Sequence, residues 1–175
     1  MFSKERKLIT QLNKLLKATL SESLGMEVIE CSEGRFVATM PVDSRTHQVV
    51  GLLHGGASVA LAETIASLGG YYLVAPDGLI VVGQEINANH LRAVTRGKVR
   101  GVGEIIFQGK RSQVWGISIF DEADRLICVS RCTLAVIENN SDDPLRKLFV
   151  SARGVNKTKS ANAEKRPVRG VHDNR

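Results

Sequence analysis

No stretch of this 175-residue chain approaches the roughly 18 consecutive apolar residues of a membrane-spanning helix, so no membrane span is expected. The N-terminal run MFSKERKLITQLNKLL breaks its leucines with charge and has neither an apolar h-region nor a small-residue cleavage site. Export is therefore not expected, and a cytoplasmic location is. Cysteine is scarce and odd in number: Cys31, Cys128 and Cys132 include no close-spaced CxxC pair, which argues against a disulfide framework or a zinc knuckle. Three reduced thiols packed in strands are expected instead. His47, His90 and His172 show no metal-ligand spacing, so no metal is expected. Acidic residues are sparse in one region only. Residues 146–175 hold nine Lys and Arg against Glu164 and Asp173, a balance of +7, and the other 15 basic and 16 acidic residues leave −1. The formal charge of +6 thus describes a near-neutral body with a basic end, a poor signature of nucleic-acid binding by the body.

What the chain does have, up to about Glu138, is nearly continuous apolar periodicity over a length suited to one domain. Leu8, Ile9, Leu12, Leu15, Leu16 and Leu20 recur at helical spacing and predict an amphipathic helix over about residues 5–22. Six strand-type runs follow, at 26–31, 35–42, 79–89, 98–108, 113–121 and 126–137. The Gly of SEG favours a turn between the first two, and the breaks TRG, GKRS and DEADR are short enough for hairpins. Between the second and third runs lies GGASVALAETIASLGGYYLVA, a helical stretch ended by Pro76 and apolar on nearly every side, hence buried. One buried helix with six antiparallel strands implies an α+β fold in which the sheet wraps round the helix. From NNSDDP onward there is too little apolar surface to repay ordering, so residues 139–175 read as a flexible basic tail after a domain of residues 1–138. Within it, only Leu145, Leu148, Phe149 and Val150 offer a short helical turn against the body.

Chemistry concentrates in the apolar helix. From Gly55 to Pro76 the one charged side chain is Glu63. Moving an ionised carboxylate out of water uncompensated costs several kcal/mol. Desolvation would raise its pKa and make it a better base or nucleophile, whereas a solvent channel or an arginine partner would simply accommodate it. Immediately before it stands HGGAS. There Gly55 and Gly56 free the backbone to bring unpaired first-turn N–H groups, and the positive end of the helix dipole, against an oxyanion. Such donors are worth roughly 3–4 kcal/mol each in acyl transfer. Gly55 and Glu63 are eight residues apart, about 12 Å along one helix. One thioester carbonyl cannot touch both, so cooperation between them requires two subunits. Ser67, one turn after Glu63, shares its helix face and could orient a water or the carboxylate, or bond its own helix backbone. His54 and Gln48 could hold the thioester oxygen or a water, while His54 could instead cap the turn.

The run MPVDSRTHQVVGLLHGGASVALAETIASLGGY, with VVGQEINANHLRA and GKRSQVWGISIFDEADRLICVSR after it, resembles the hotdog-fold thioesterases. The likeness is to the phenylacetate-degradation and 4-hydroxybenzoyl-CoA type with a helix-borne glutamate. Within that type it is nearest to the branch of 1,4-dihydroxy-2-naphthoyl-CoA hydrolases of menaquinone synthesis and proofreading thioesterases of enterobactin synthesis. It covers about residues 20–137. The resemblance implies dimers paired into a tetramer, with sites at the dimer interface. It implies hydrolysis of an acyl-CoA or acyl-carrier-protein thioester, aromatic acyl groups being favoured over long fatty chains, without metal or redox cofactor. By it, Glu63 matches the carboxylate that attacks the thioester or activates water and Gly55 the oxyanion donor. His54 and Gln48 match the residues holding thioester and water, and Ser67 a helper from the helix. His90 and Arg92 fall on the CoA path, and Gly109, Lys110, Arg111 and Ser112 on the turn meeting CoA phosphates, where Lys and Arg suit an anion by charge. Without the resemblance that turn reads as a solvated hairpin. The longer, more basic N-terminus and the tail depart from the family pattern. Two rival functions are an acyl-CoA sensor whose basic tail holds nucleic acid or another partner, and a dehydratase of 3-hydroxyacyl thioesters. The dehydratase would want a His and acid working as a proton-transfer pair, which HGG with Glu63 suits less well than hydrolysis.

Overall fold

The computed structural model describes residues 2–138 and 143–154. In chain order the elements are α1 (Phe2–Leu15), α2 (Leu20–Ser23), β1 (Glu27–Ser32), β2 (Arg35–Val42), α3 (Gly55–Val74), a 3-10 turn (Ala75–Asp77), β3 (Leu79–His90), β4 (Gly97–Gln108), β5 (Ser112–Phe120), β6 (Leu126–Glu138) and α4 (Pro144–Arg153). As the sequence predicts, the six strands form one antiparallel sheet with α3 packed across it; the strand order is β1-β2-β4-β5-β6-β3. Along β5 alternate residues Gln113, Trp115, Ile117 and Ile119 are buried, the period-2 signature of a strand with one face on a core. Close approach of helix and sheet depends on missing side chains. A Cβ at Gly69 would stand 2.4 Å from the Trp115 ring, and one at Gly103 of β4 would stand 2.3 Å from Ile65. Residues 55–77 are long and apolar enough to cross a membrane, but 67% of that window is buried inside the fold, as in the core helix of a packed domain.

Three expectations need correction. The link TRG is not a hairpin: β4 pairs with β2 and β5, whereas β3 lies at the far edge on β6, so residues 91–96 carry the chain between non-adjacent strands. Loop length permits a hairpin there, but it cannot choose pairing partners. The N-terminal helix stops at Leu15 rather than running to 22, since Ala18 takes a left-handed φ of 58° and a separate short helix begins at Leu20. The Asn13 side chain fastens the end of α1 to β1, accepting from Val28 N–H at 2.9 Å and donating to the Val28 carbonyl at 2.8 Å.

The third correction concerns the tail. Pro144–Arg153 is a helix packed on the body, and Phe149 at its centre is 0% exposed. Its ring meets those of Tyr72, Tyr71 and Phe36 edge-on, at centroid distances of 5.2, 5.8 and 6.4 Å. Asp143 caps the helix by accepting from Arg146 N–H at 2.8 Å, and its other oxygen accepts from the Tyr71 hydroxyl at 2.6 Å. Arg153 closes the far end on the Leu73 carbonyl and Glu33. The helical turn expected of Leu145, Leu148, Phe149 and Val150 is thus found; what falls is the flexible reading of residues 143–154, because four apolar side chains suffice when one of them enters an aromatic pocket. The remainder of the expected tail, residues 139–142 and 155–175, lies outside the described residues.

Candidate active site

Within one chain the candidate residues form two groups. The first gathers where the 43–54 loop meets the N-terminus of α3. His54 is its exposed N-cap, and its Nδ1 accepts from Gly56 N–H at 2.8 Å, which in the neutral ring leaves the proton on Nε2. The capping alternative for His54 is thus realised. Gln48 Oε1 accepts from Val50 N–H at 2.7 Å, so its amide NH2 is the end left to donate outward. Backbone bonds hold the loop on several sides: His54 N–H to the Thr46 carbonyl, Leu53 N–H to Val94 and Gln48 N–H to Leu52, each at 2.8 Å. Thr46, 1% exposed, donates its hydroxyl to the Pro41 carbonyl and accepts from Asp43 N–H. Hydrogen bonds from Arg45 hold the Asp43 carboxyl down to about 2. His90, the last residue of β3, lays its imidazole against Gly55. Arg92 donates its guanidinium to the Leu126 carbonyl, at the start of β6.

The second group lies at the other end of β3. Glu63, half-buried, rests one carboxylate oxygen against the backbone of Gly83, where a Cβ would stand 2.4 Å away. Ser67 is half-buried one turn further along α3. The turn Gly109–Lys110–Arg111 leading into Ser112 belongs to the same end, because Ser112 pairs with Ala135 and Ala135 with Val82. That places it two strand spacings, about 10 Å, from the stretch that seats Glu63. The turn closes on itself through Gly109 N–H to the Ser112 carbonyl at 2.9 Å, with Lys110 and Arg111 exposed.

From Gly83 to His90 is seven residues of strand, about 23 Å at roughly 3.3 Å per residue. The chain therefore does not bring Glu63 to the Gly55 amide by itself. Sequence reasoning missed one residue here and the setting of another. Gly83 is the backbone seat of Glu63, and its signal was an isolated glycine inside a strand run, which marks close approach or a bulge. The strand register does shift between Gly83 and Glu85. The other is Cys132, whose thiol is pushed up to about 12 by burial first and then by the charges of Glu63 and Glu85. Cys31 and Cys128 are likewise buried free thiols, as the composition suggested.

Comparison with known proteins gives the arrangement a context. The family model described as the thioesterase superfamily matches residues 50–128. The proofreading thioesterase EntH of Cronobacter turicensis is 50% identical over 137 residues, which are 78% of this chain and 99% of that protein. The 1,4-dihydroxy-2-naphthoyl-CoA hydrolase of Escherichia coli K12 is 47% identical over 137 residues, covering 78% of this chain and 100% of the relative. Among solved structures, a thioesterase of Haemophilus influenzae superposes with a TM-score of 0.72 at 48% identity, over 77% of this chain and 93% of the other.

Proposed function

Since the chain belongs to the thioesterase superfamily and is a hotdog-fold thioester hydrolase, we propose that it cuts an aromatic acyl-CoA to free acid and CoA, with Glu63 as the working carboxylate. The observation that carries this reading is the separation of the two half-sites along one bare sheet edge. Among the described residues β3 pairs only with β6, so its other side offers N–H and C=O groups without a strand partner there, and residues 82–85 are exposed in the single chain. Two such edges paired antiparallel about a two-fold axis between Ile86 and Asn87 set Gly83 of one subunit opposite His90 of the other, since 83 and 90 are equidistant from that point. Glu63 of one subunit then faces the Gly55 amide of its partner. A homodimer, or a homotetramer built from it, is the working unit in this reading, and the cytoplasm its location.

The chemistry follows from what each group can do. The thioester oxygen accepts from Gly55 N–H and from His54 Nε2–H, and charge developing on it is stabilised by those donors and by the helix dipole. Glu63 either attacks the carbonyl carbon, expelling the CoA thiolate and leaving an anhydride that water opens, or takes a proton from a water that attacks instead. Both routes add water across the acyl–sulfur bond and end in acid and thiol. The Gln48 amide and Ser67 hydroxyl orient that water. Arg92 and the turn 109–112 lie along the CoA path, Lys110 and Arg111 offering charge to its phosphates. The aromatic preference is supported by the relative that hydrolyses a dihydroxynaphthoyl-CoA.

Thiol release from benzoyl-, naphthoyl-, phenylacetyl- and straight-chain CoA esters, and from the same acyl groups on carrier protein, tests this. The aromatic CoA esters should be turned over fastest, and Glu63→Gln should lower kcat at least about a hundredfold while still binding CoA. Undiminished turnover by the folded variant would sink the assignment of Glu63.

A further inference from the structure

We propose, building on that reading, that His90 acts at the reacting end of the site, as a positioning residue for the oxyanion turn, rather than along the CoA path. A Cβ on Gly55 would stand 2.8 Å from His90 Nε2, 3.2 Å from Cδ2 and 3.3 Å from Cε1, so the imidazole fills the space that any other residue at 55 would claim. In a helix the Cα–Cβ bond tilts toward the N-terminus, the direction in which the unpaired first-turn N–H groups also open. The ring therefore flanks the oxyanion donors and borders the place where a bound carbonyl would lie. Gly56 contrasts with this: a Cβ there would meet, among the described residues, the ring of His54, the N-cap of the same helix two positions earlier.

Both partners in the contact are anchored separately. His90 pairs with Cys128 of β6, and just after it Leu91 N–H donates to the Ile127 carbonyl at 2.7 Å, with the Arg92 guanidinium on Leu126. Gly55 is placed from the opposite side by the bonds from Leu53 to Val94 and from His54 to Thr46. The imidazole wedges one rigid segment against the other. A displacement of a few tenths of an ångström in an oxyanion donor matters to the barrier, and this wedge limits such movement. The residue type at 55 has a second explanation in consequence: glycine leaves room for the ring as well as for the substrate.

The test compares His90→Ala and His90→Gln in the full chain, with benzoyl-CoA turnover, CoA binding by calorimetry and the Gly55 amide signal by NMR. His90→Ala should lower kcat about tenfold, leave the Kd of CoA within twofold, and move the Gly55 amide resonance without any ligand; the longer, ring-filling His90→Gln should recover most of kcat. The double variant Gly55→Ala with His90→Ala should lose no more than Gly55→Ala alone, because the two act through one contact. An unchanged kcat with CoA binding weakened fivefold or more returns His90 to the CoA path and overturns the proposal, as does a Gly55 resonance that does not move. Wild-type protein inert toward every thioester would instead count against the function, while the amide signal would still decide the contact.

Discussion

The two ends of β3 are built differently. At the His90 end, loop, helix start and strand end are tied together by backbone bonds from residues 53, 54 and 91, by the His54 cap and by a buried threonine. At the Gly83 end, Glu63 leans on bare backbone at a sheet edge, and no ion pair with Lys or Arg is found for it among the described residues. A donor site for an oxyanion must hold its geometry before substrate arrives, and the pinned end does so within one chain. A carboxylate that works on another chain's ligand needs a seat and an open side. On the proposed reading, the difference teaches that each chain would carry a finished oxyanion half and an unfinished acid half, which pairing would complete.

The largest effect expected from that division is complementation. Glu63→Gln and Gly55→Val should each fall below about a hundredth of wild-type turnover, since each destroys one half of every site. Co-expressed in equal amounts, half of the dimers are mixed and each of these holds one intact site of two, so activity should return to about a quarter of wild type. Mixtures as dead as their parents would place Glu63 and Gly55 in the same site of a single chain and break the comparison. A smaller effect should come from the edge itself. Val82, 42% exposed, lies on the stretch that pairing would cover, and Val82→Lys introduces charge there. It should raise the monomer fraction seen by sedimentation and lower turnover about tenfold at dilute protein, with recovery on concentration. A concentration-independent loss would mean that Val82 acts within the chain.

Much of this was legible in the sequence for identifiable reasons. The strands show in period-2 runs broken by turn residues, and α3 shows in a stretch apolar on every face with one acid in it. The proposal of a two-subunit site starts from eight residues of helix, about 12 Å, a distance that local geometry fixes. The order of strands was not legible, because TRG is short enough for a hairpin and only partner choice reveals that it is not one. Helix α4 was legible only as a short helical turn of Leu145, Leu148, Phe149 and Val150 against the body, because the pocket that accepts Phe149 is assembled from Phe36, Tyr71 and Tyr72, far away in sequence. His90 was assigned by family position, and the space above Gly55 becomes visible only when the ends of β3 and the 43–54 loop are set side by side.

The smallest effect probes how over-determined the pinned end is. Arg45 donates to both oxygens of Asp43, at 3.1 and 2.6 Å, and this holds the carboxyl at about 2, below the ordinary aspartate value near 3.9. A folded-state pKa lowered in this way contributes stability that is present above the unfolded value and is lost as pH falls through the folded one. Wild-type Tm should therefore drop more steeply than that of Arg45→Gln between about pH 4 and pH 2, and the two curves should converge below pH 2. The pair is solvent-exposed, so screening keeps the difference small and added salt should shrink it. Turnover at neutral pH should stay within twofold of wild type, because Thr46 is still held by the Pro41 carbonyl and His54 by Thr46. A large loss of kcat in Arg45→Gln would show that the oxyanion end leans on one surface ion pair, and the contrast between a finished and an unfinished half of the site would disappear.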